Sequence, residues 1–112
     1  METIAYNVFE SVDIRLGTVI AAELFERAKK PALKVTVDFG LEVGIKVTSS
    51  QIAYTYRVEN LIGKQVLGCI NLGKKNIAGF QSDFLLLGCP NQSGHIILVS
   101  PDFVLPNGAR LF

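Results

Sequence analysis

The chain has 112 residues, with 11 basic and 10 acidic side chains giving a formal net charge of +1, which argues against a generic nucleic-acid coat, since such proteins need a large cationic surplus over phosphate. An apolar content of 49% and a mean hydropathy of +0.36 are high for a length that buries only about two thirds of its unfolded surface, so some apolar surface is expected to meet a partner. The length fits one domain over residues 1–112; no apolar run reaches the roughly 18–20 residues of a membrane helix, and Met1 to Ser11 carries acids where a secretory leader carries bases, so a cytoplasmic protein without membrane insertion is expected.

In chain order, the first strand signal is Ile14 to Leu24, rich in β-branched residues and predicted to bend at Gly17. Beyond Lys29-Lys30-Pro31, the stretch Ala32 to Phe39 alternates. Leu33, Val35, Val37 and Phe39 are predicted to face inward, and Lys34, Thr36 and Asp38 to face water. Gly40 to Gly44 supplies a hairpin turn, and Ile45-Lys46-Val47-Thr48-Ser49 continues as the antiparallel partner. Tyr56 to Ile62, closed by Gly63, predicts a single helical turn with a C-terminal glycine.

Gln65 to Asn71 reads as a buried strand in which Gly68 marks a bulge or a close backbone approach. Phe84 to Leu87 and His95 to Val99 complete the strands, on either side of the turn-rich 88–94. Five or six short strands with one short helix predict an all-β fold: a five-stranded Greek-key barrel of the OB type, with short helical turns and terminal extensions. The tail Pro101 to Phe112 holds Phe103, Val104, Leu105, Leu111 and Phe112. It is too apolar to float free and is expected to dock on its own barrel or on a second subunit.

Catalytic equipment is missing. The one histidine, His95, has no Ser or Cys in a recognisable nucleophile setting, and Ser49-Ser50 lacks a nucleophile elbow, so no enzyme is expected. Cys69, Cys89 and His95 do not have zinc spacing, and Asp38 and Glu42 do not form a calcium loop, so neither metal nor other cofactor is expected. The cysteines read as a core thiol and a loop thiol of a reducing compartment. Gly63-Lys64 fails as a phosphate loop, because Val58 stands where the first glycine belongs and Gln65 where Ser or Thr would bind magnesium.

Binding chemistry gathers between Asn71 and Leu87. Lys74 and Lys75, with Asn71, Asn76, Gln81 and Ser82 nearby, suit phosphates and sugars, and Phe80 suits base stacking. The alternative is a solvated lysine turn with Phe80 in the core. Lys29 and Lys30, on the first inter-strand loop, extend that basic patch or are merely solvated. Ser49, Ser50 and Gln51 end a strand with small hydrogen-bonding groups that suit a peptide backbone or a nucleotide, or else cap the helix that follows. Tyr54 and Tyr56 suit a subunit contact or a ligand platform.

Several motifs in order carry a resemblance: Val12-Asp13-Ile14-Arg15-Leu16-Gly17, Lys30-Pro31-Ala32-Leu33-Lys34, Val37-Asp38-Phe39-Gly40, Ser49-Ser50-Gln51-Ile52, Ile77-Ala78-Gly79-Phe80-Gln81-Ser82 and Val104-Leu105-Pro106-Asn107-Gly108. The chain resembles the CsaA family over nearly its whole length. CsaA proteins look like export-related chaperones built on the tRNA-binding OB-fold domain, which also occurs appended to methionyl-tRNA synthetases and in free-standing tRNA-binding proteins. The resemblance implies a homodimer that binds unfolded or precursor polypeptides in an apolar groove and helps deliver them to the secretion machinery. It also implies a ligand face carrying Ser49, Ser50, Gln51, Asn71, Lys74, Lys75, Phe80 and Ser82. Two departures from tRNA-binding relatives point to the chaperone branch: Arg27-Ala28-Lys29-Lys30-Pro31-Ala32-Leu33 replaces an Asn-Ala-Asp-Lys-Leu-like segment, and Ser82-Asp83-Phe84-Leu85 replaces Ser-x-Gly-Met. Binding of tRNA on the same face is the alternative function.

Overall fold

Strand signals this short can share one core only by pairing into a sheet that curls on itself. The computed structural model describes residues 1–26, 30–77 and 80–112. Its elements are α1 (Tyr6–Glu10), β1 (Ile14–Phe25), β2 (Ala32–Asp38), α2 (Gly40–Val43), β3 (Ile45–Ser50), α3 (Val58–Leu61), β4 (Gln65–Cys69), β5 (Lys75–Ile77), β6 (Phe80–Ser82), β7 (Leu85–Leu86), β8 (Gly88–Pro90) and β9 (Ile96–Leu98). Five strands form one sheet in the order β3-β2-β1-β4-β7, and β5–β6 and β8–β9 are separate hairpins.

β1 is long enough to serve two neighbours. Its first half pairs antiparallel with β4, from Ile14↔Cys69 to Thr18↔Gln65, and its second half with β2, from Thr18↔Asp38 to Phe25↔Ala32. A strand shared in this way curls the sheet into a half-barrel. Across the remaining gap, the Asp83 amide donates to the Val47 carbonyl at 2.8 Å and Thr48 Oγ1 donates to the Phe84 carbonyl at 2.8 Å. The expected all-β, OB-type architecture is what the sequence forms.

The inward face of β2 is as its alternation predicts: Leu33, Val35, Val37 and Phe39 are all buried. Lys34, Thr36 and Asp38 do not stand free in water; each is half-buried. Asp38 Oδ1 accepts the Gly40 amide at 2.8 Å, starting the helical turn α2 inside what the sequence suggests is a plain hairpin turn. Phe39 meets Phe84 edge-on, with ring centroids 5.0 Å apart.

Two glycines yield space to this ring. A Cβ at Gly17 would lie 2.8 Å from Phe39 Cδ1 and 2.9 Å from the Asp38 carbonyl oxygen, and one at Gly68 would lie 2.9 Å from Phe39 Cζ. Gly68 therefore marks a close approach, as its place in an apolar strand suggests. Gly17 lies beside Thr18, where β1 passes from β4 to β2, and the register shift against β2 follows between Val19 and Ala21.

α3, followed by Gly63 at φ +86°, is the predicted helical turn. Turn-rich 88–94 proves to contain β8, which pairs with β9 from Gly88↔Leu98 to Pro90↔Ile96. Glycine and proline there obscure a strand that the partner strand nevertheless imposes. The tail docks on its own barrel through main chain: Gly108 N–H donates to Leu16 O (2.7 Å), Leu16 N–H to Ala109 O (2.8 Å) and Leu111 N–H to Ile14 O (2.9 Å). Gln65 brackets Leu105, donating from Nε2 to its carbonyl (2.7 Å) and accepting its amide at Oε1 (3.0 Å). Arg15 braces the same turn, with Nε 2.7 Å from Asp13 Oδ1 and Nη1 donating to Gly108 O at 3.1 Å. The hydrogen bond with Asp13 holds its guanidinium above the ordinary arginine value.

Candidate functional site

Closing the half-barrel brings β6 beside β3, which decides how the predicted site residues are used. Ser49 on β3 stands opposite Lys34 on β2. Its backbone amide donates to Ser82 Oγ at 3.0 Å, and both serines are buried. The Ser49 hydroxyl itself is buried without a partner among the described residues. The two serines should therefore respond oppositely to truncation. Ser82→Ala strands a buried amide and is expected to cost about 1–3 kcal/mol, whereas Ser49→Ala removes an unpaired hydroxyl and is expected to be neutral or stabilising; urea unfolding of the two variants checks the contrast.

Phe80 is neither an open stacking platform nor a core residue. It is half-buried, edge-on to Phe25 at 5.7 Å, and Lys34 Nζ lies 4.8 Å from its ring centre and 4.9 Å from that of Phe25. An ammonium over two ring faces is held in place by their quadrupoles. Alternation in β2 marks Lys34 only as a solvated residue, and nothing local to Phe25 announces its contact with Phe80. Neither is legible locally, because their meeting depends on how β6 of the β5–β6 hairpin packs beside β3.

The other predicted residues separate. Lys74 and Lys75 are exposed beside a cavity of about 180 Å³ that Leu72, Ser82, Phe84 and Leu85 also line. Lys75 is paired in register with Ser82. Asn71 is exposed, but its carboxamide is engaged: Oδ1 accepts the Asp13 amide at 2.9 Å and Nδ2 donates to the Ser11 carbonyl at 2.7 Å, buckling the end of β4 to the segment before β1. Ser50 is half-buried and Gln51 exposed. Neither serine nor Gln51 caps a helix, because α3 begins at Val58 with Arg57 at its N-cap and no side-chain cap.

Tyr56 is structural, its hydroxyl accepting the Leu98 amide at 2.9 Å. Tyr54 is exposed and stacks on His95. Lys30 lies with Gln51, Tyr54 and His95 around a cleft of about 380 Å³, and Lys29 lies outside the described residues. Among the described residues, Lys30, Lys34, Lys74 and Lys75 form no ion pair with a carboxylate. No group of three or more His, Cys, Asp or Glu side chains is placed to hold a metal among those residues. Cys69 is buried and Cys89 exposed, both as free thiols.

The family described as "Putative tRNA binding domain" matches residues 14–110. The crystal structure of chaperone CsaA from Bacillus anthracis str. Ames is similar at a TM-score of 0.92 and 39% identity, over 99% of this chain and 100% of that one. The CsaA chaperone protein of Picrophilus torridus is similar at 0.89 and 36% identity, over 98% and 100%. A methionine–tRNA ligase of Flavobacterium johnsoniae is 35% identical over 110 residues, covering 98% of this chain and 15% of the ligase. The chain thus spans less than a fifth of the ligase's length.

Proposed function

The chain belongs to the CsaA family within the tRNA-binding-domain superfamily, and from that premise we propose that it is a non-enzymatic chaperone, a homodimer that holds unfolded or precursor polypeptides. Apolar surface on a backbone that is already fixed supports this. Phe103, Val104 and Phe112 are 81%, 89% and 93% exposed, while hydrogen bonds from β1 and Gln65 pin the tail that carries them. Ordering such a segment costs little at the moment of binding, so its side chains add directly to affinity for an apolar partner. The whole of 1–112 acts as one tRNA-binding-type domain in this proposal, working in the cytoplasm and passing clients toward the secretion machinery. No helix among the described residues is long and apolar enough to cross a membrane.

A second reading, tRNA binding, is favoured by one arrangement: Lys75 opposes Ser82, Ser82 holds Ser49, and Ser49 opposes Lys34, which puts two cations without carboxylate partners and the Phe80 ring on neighbouring strands. Titration with labelled unfolded polypeptide and with tRNA at two salt concentrations separates the two readings. Dimerisation is a separate test. Light scattering is expected to return twice the 12.2 kDa chain mass, and a stable monomer would remove the homodimer from the mechanism.

A further inference from the structure

The cleft at the end of β3 is built before anything binds to it. Asn91 Oδ1 accepts the backbone amides of Ser93 (2.9 Å) and His95 (3.0 Å), and the Asn91 amide donates to the His95 carbonyl (2.8 Å), which fixes the β8–β9 loop. Thr55 Oγ1 donates to the Ile96 carbonyl at 2.7 Å and the Leu98 amide donates to the Tyr56 hydroxyl at 2.9 Å, so the hairpin is tied at two points to the segment after β3. From these braced segments Tyr54 and His95 meet ring on ring, with centroids 4.5 Å apart and planes 8° from parallel. The result is a stacked pair of rings, with Tyr54 exposed, whose ordering cost is already met by the fold.

Lys30, Pro31, Gln51 and Ile96 complete the lining of this cavity of about 380 Å³, within the range of roughly 300–1,000 Å³ usual for small-molecule sites. The lining offers an ammonium, an imidazole and a carboxamide beside stacked rings, and no carboxylate among the described residues. That combination matches a planar aromatic group that carries an anion. We propose that the cleft binds one unpaired nucleotide of an RNA strand. The base extends the Tyr54–His95 stack, the phosphate meets Lys30, and the Gln51 carboxamide, both donor and acceptor, meets the base edge. This proposal rests on the tRNA-binding reading and gives it a contact outside the Lys34–Phe80 strip.

His95 is the chain's one histidine, so its imidazole C–H signals in proton NMR report on the cleft without overlap. Titrating the full chain with AMP is expected to move those signals upfield and saturably. Tyr54→Ala is expected to weaken AMP binding about ten-fold, as loss of one stacking partner does, while Tyr54→Phe retains it. Lys30→Gln is expected to weaken AMP but not adenosine. If Tyr54→Ala disturbs amide signals remote from the cleft, the comparison of Lys30→Gln against AMP and adenosine carries the test in its place.

No movement of His95 at millimolar AMP would overturn the proposal. So would an equal response to inorganic phosphate alone, or a stronger response to a tripeptide with a free C-terminal carboxylate. If tRNA binds but leaves His95 unmoved and is indifferent to Tyr54→Ala, the cleft proposal falls and tRNA binding stands. If AMP binds at His95 while tRNA does not bind at all, the proposal also falls, because the cleft then serves a free nucleotide rather than an RNA strand.

Discussion

Raising salt from about 50 to about 200 mM is expected to weaken tRNA binding by about fifty-fold or more and to leave unfolded-polypeptide binding within about two-fold. Lys30, Lys34, Lys74 and Lys75 are the cations argued to meet phosphate, and none forms an ion pair with a carboxylate among the described residues. Each phosphate neutralised releases condensed counterions, so the logarithm of affinity falls with a slope of about 0.7–0.9 per contact. Four contacts across a four-fold change in salt give the stated loss. Polypeptide held by Phe103, Val104 and Phe112 releases water rather than ions, and excluded salts strengthen rather than weaken such burial.

Lys74→Glu with Lys75→Glu should accordingly impair tRNA binding steeply and polypeptide binding little. Phe103→Ser with Val104→Ser should do the reverse, with a change in stability within about 0.5 kcal/mol, because both side chains are almost wholly exposed. Tight tRNA binding with no measurable polypeptide binding would overturn the chaperone proposal. Polypeptide affinity that falls as steeply with salt as tRNA affinity would remove its apolar basis.

Phe39→Ala is expected to cost about 3–5 kcal/mol. For a domain with about 5–15 kcal/mol of total stability, that corresponds to a fall in Tm of roughly 15 °C or more. Phe39 is 0% exposed, touches Phe84 edge-on, and occupies the space that glycine leaves at position 17 of β1 and position 68 of β4. Truncation opens a void against β1 and β4 of one curled sheet, which cannot close without breaking ladder hydrogen bonds. Thermal and urea unfolding followed by circular dichroism measure the loss. Gly68→Ala offers an internal check: its added methyl crowds Phe39 and Phe84 in the parent chain, so its cost should shrink in the Phe39→Ala background, a coupling expected only of residues that share one space. A loss below about 1.5 kcal/mol for Phe39→Ala would show that the sheet collapses onto the cavity instead.

Much of this was legible from residue order. Alternation from Leu33 to Phe39 names the buried face of β2 correctly, because successive side chains of a strand must point to opposite sides. Gly63 at the end of one helical turn and Gly68 in an apolar strand likewise mark positions set by local geometry. Where reasoning by composition misleads, the partner strand has overridden it. Gly88-Cys89-Pro90 carries turn residues and nevertheless pairs with Ile96–Leu98, and at Gly17 the packing of Val37, Phe39 and Asp38 leaves no room for a Cβ, a constraint that composition does not announce.

The candidate site was legible as a set of residues and not as an arrangement. Ser49 and Ser82 lie 33 positions apart and become one hydrogen-bonded pair; Asn71, which reads as a ligand group, is spent on Asp13 and Ser11; Lys34, half-buried, carries its ammonium over Phe25 and Phe80. By itself the sequence determined the strand periods, the glycines of local turns, the apolar excess and, through its ordered motifs, the family. Only the tertiary structure decided which polar groups are satisfied and which remain to meet a ligand. Period and turn geometry are properties of neighbouring residues, whereas the environment of a side chain is set by strands that closure of the sheet brings together from distant parts of the chain.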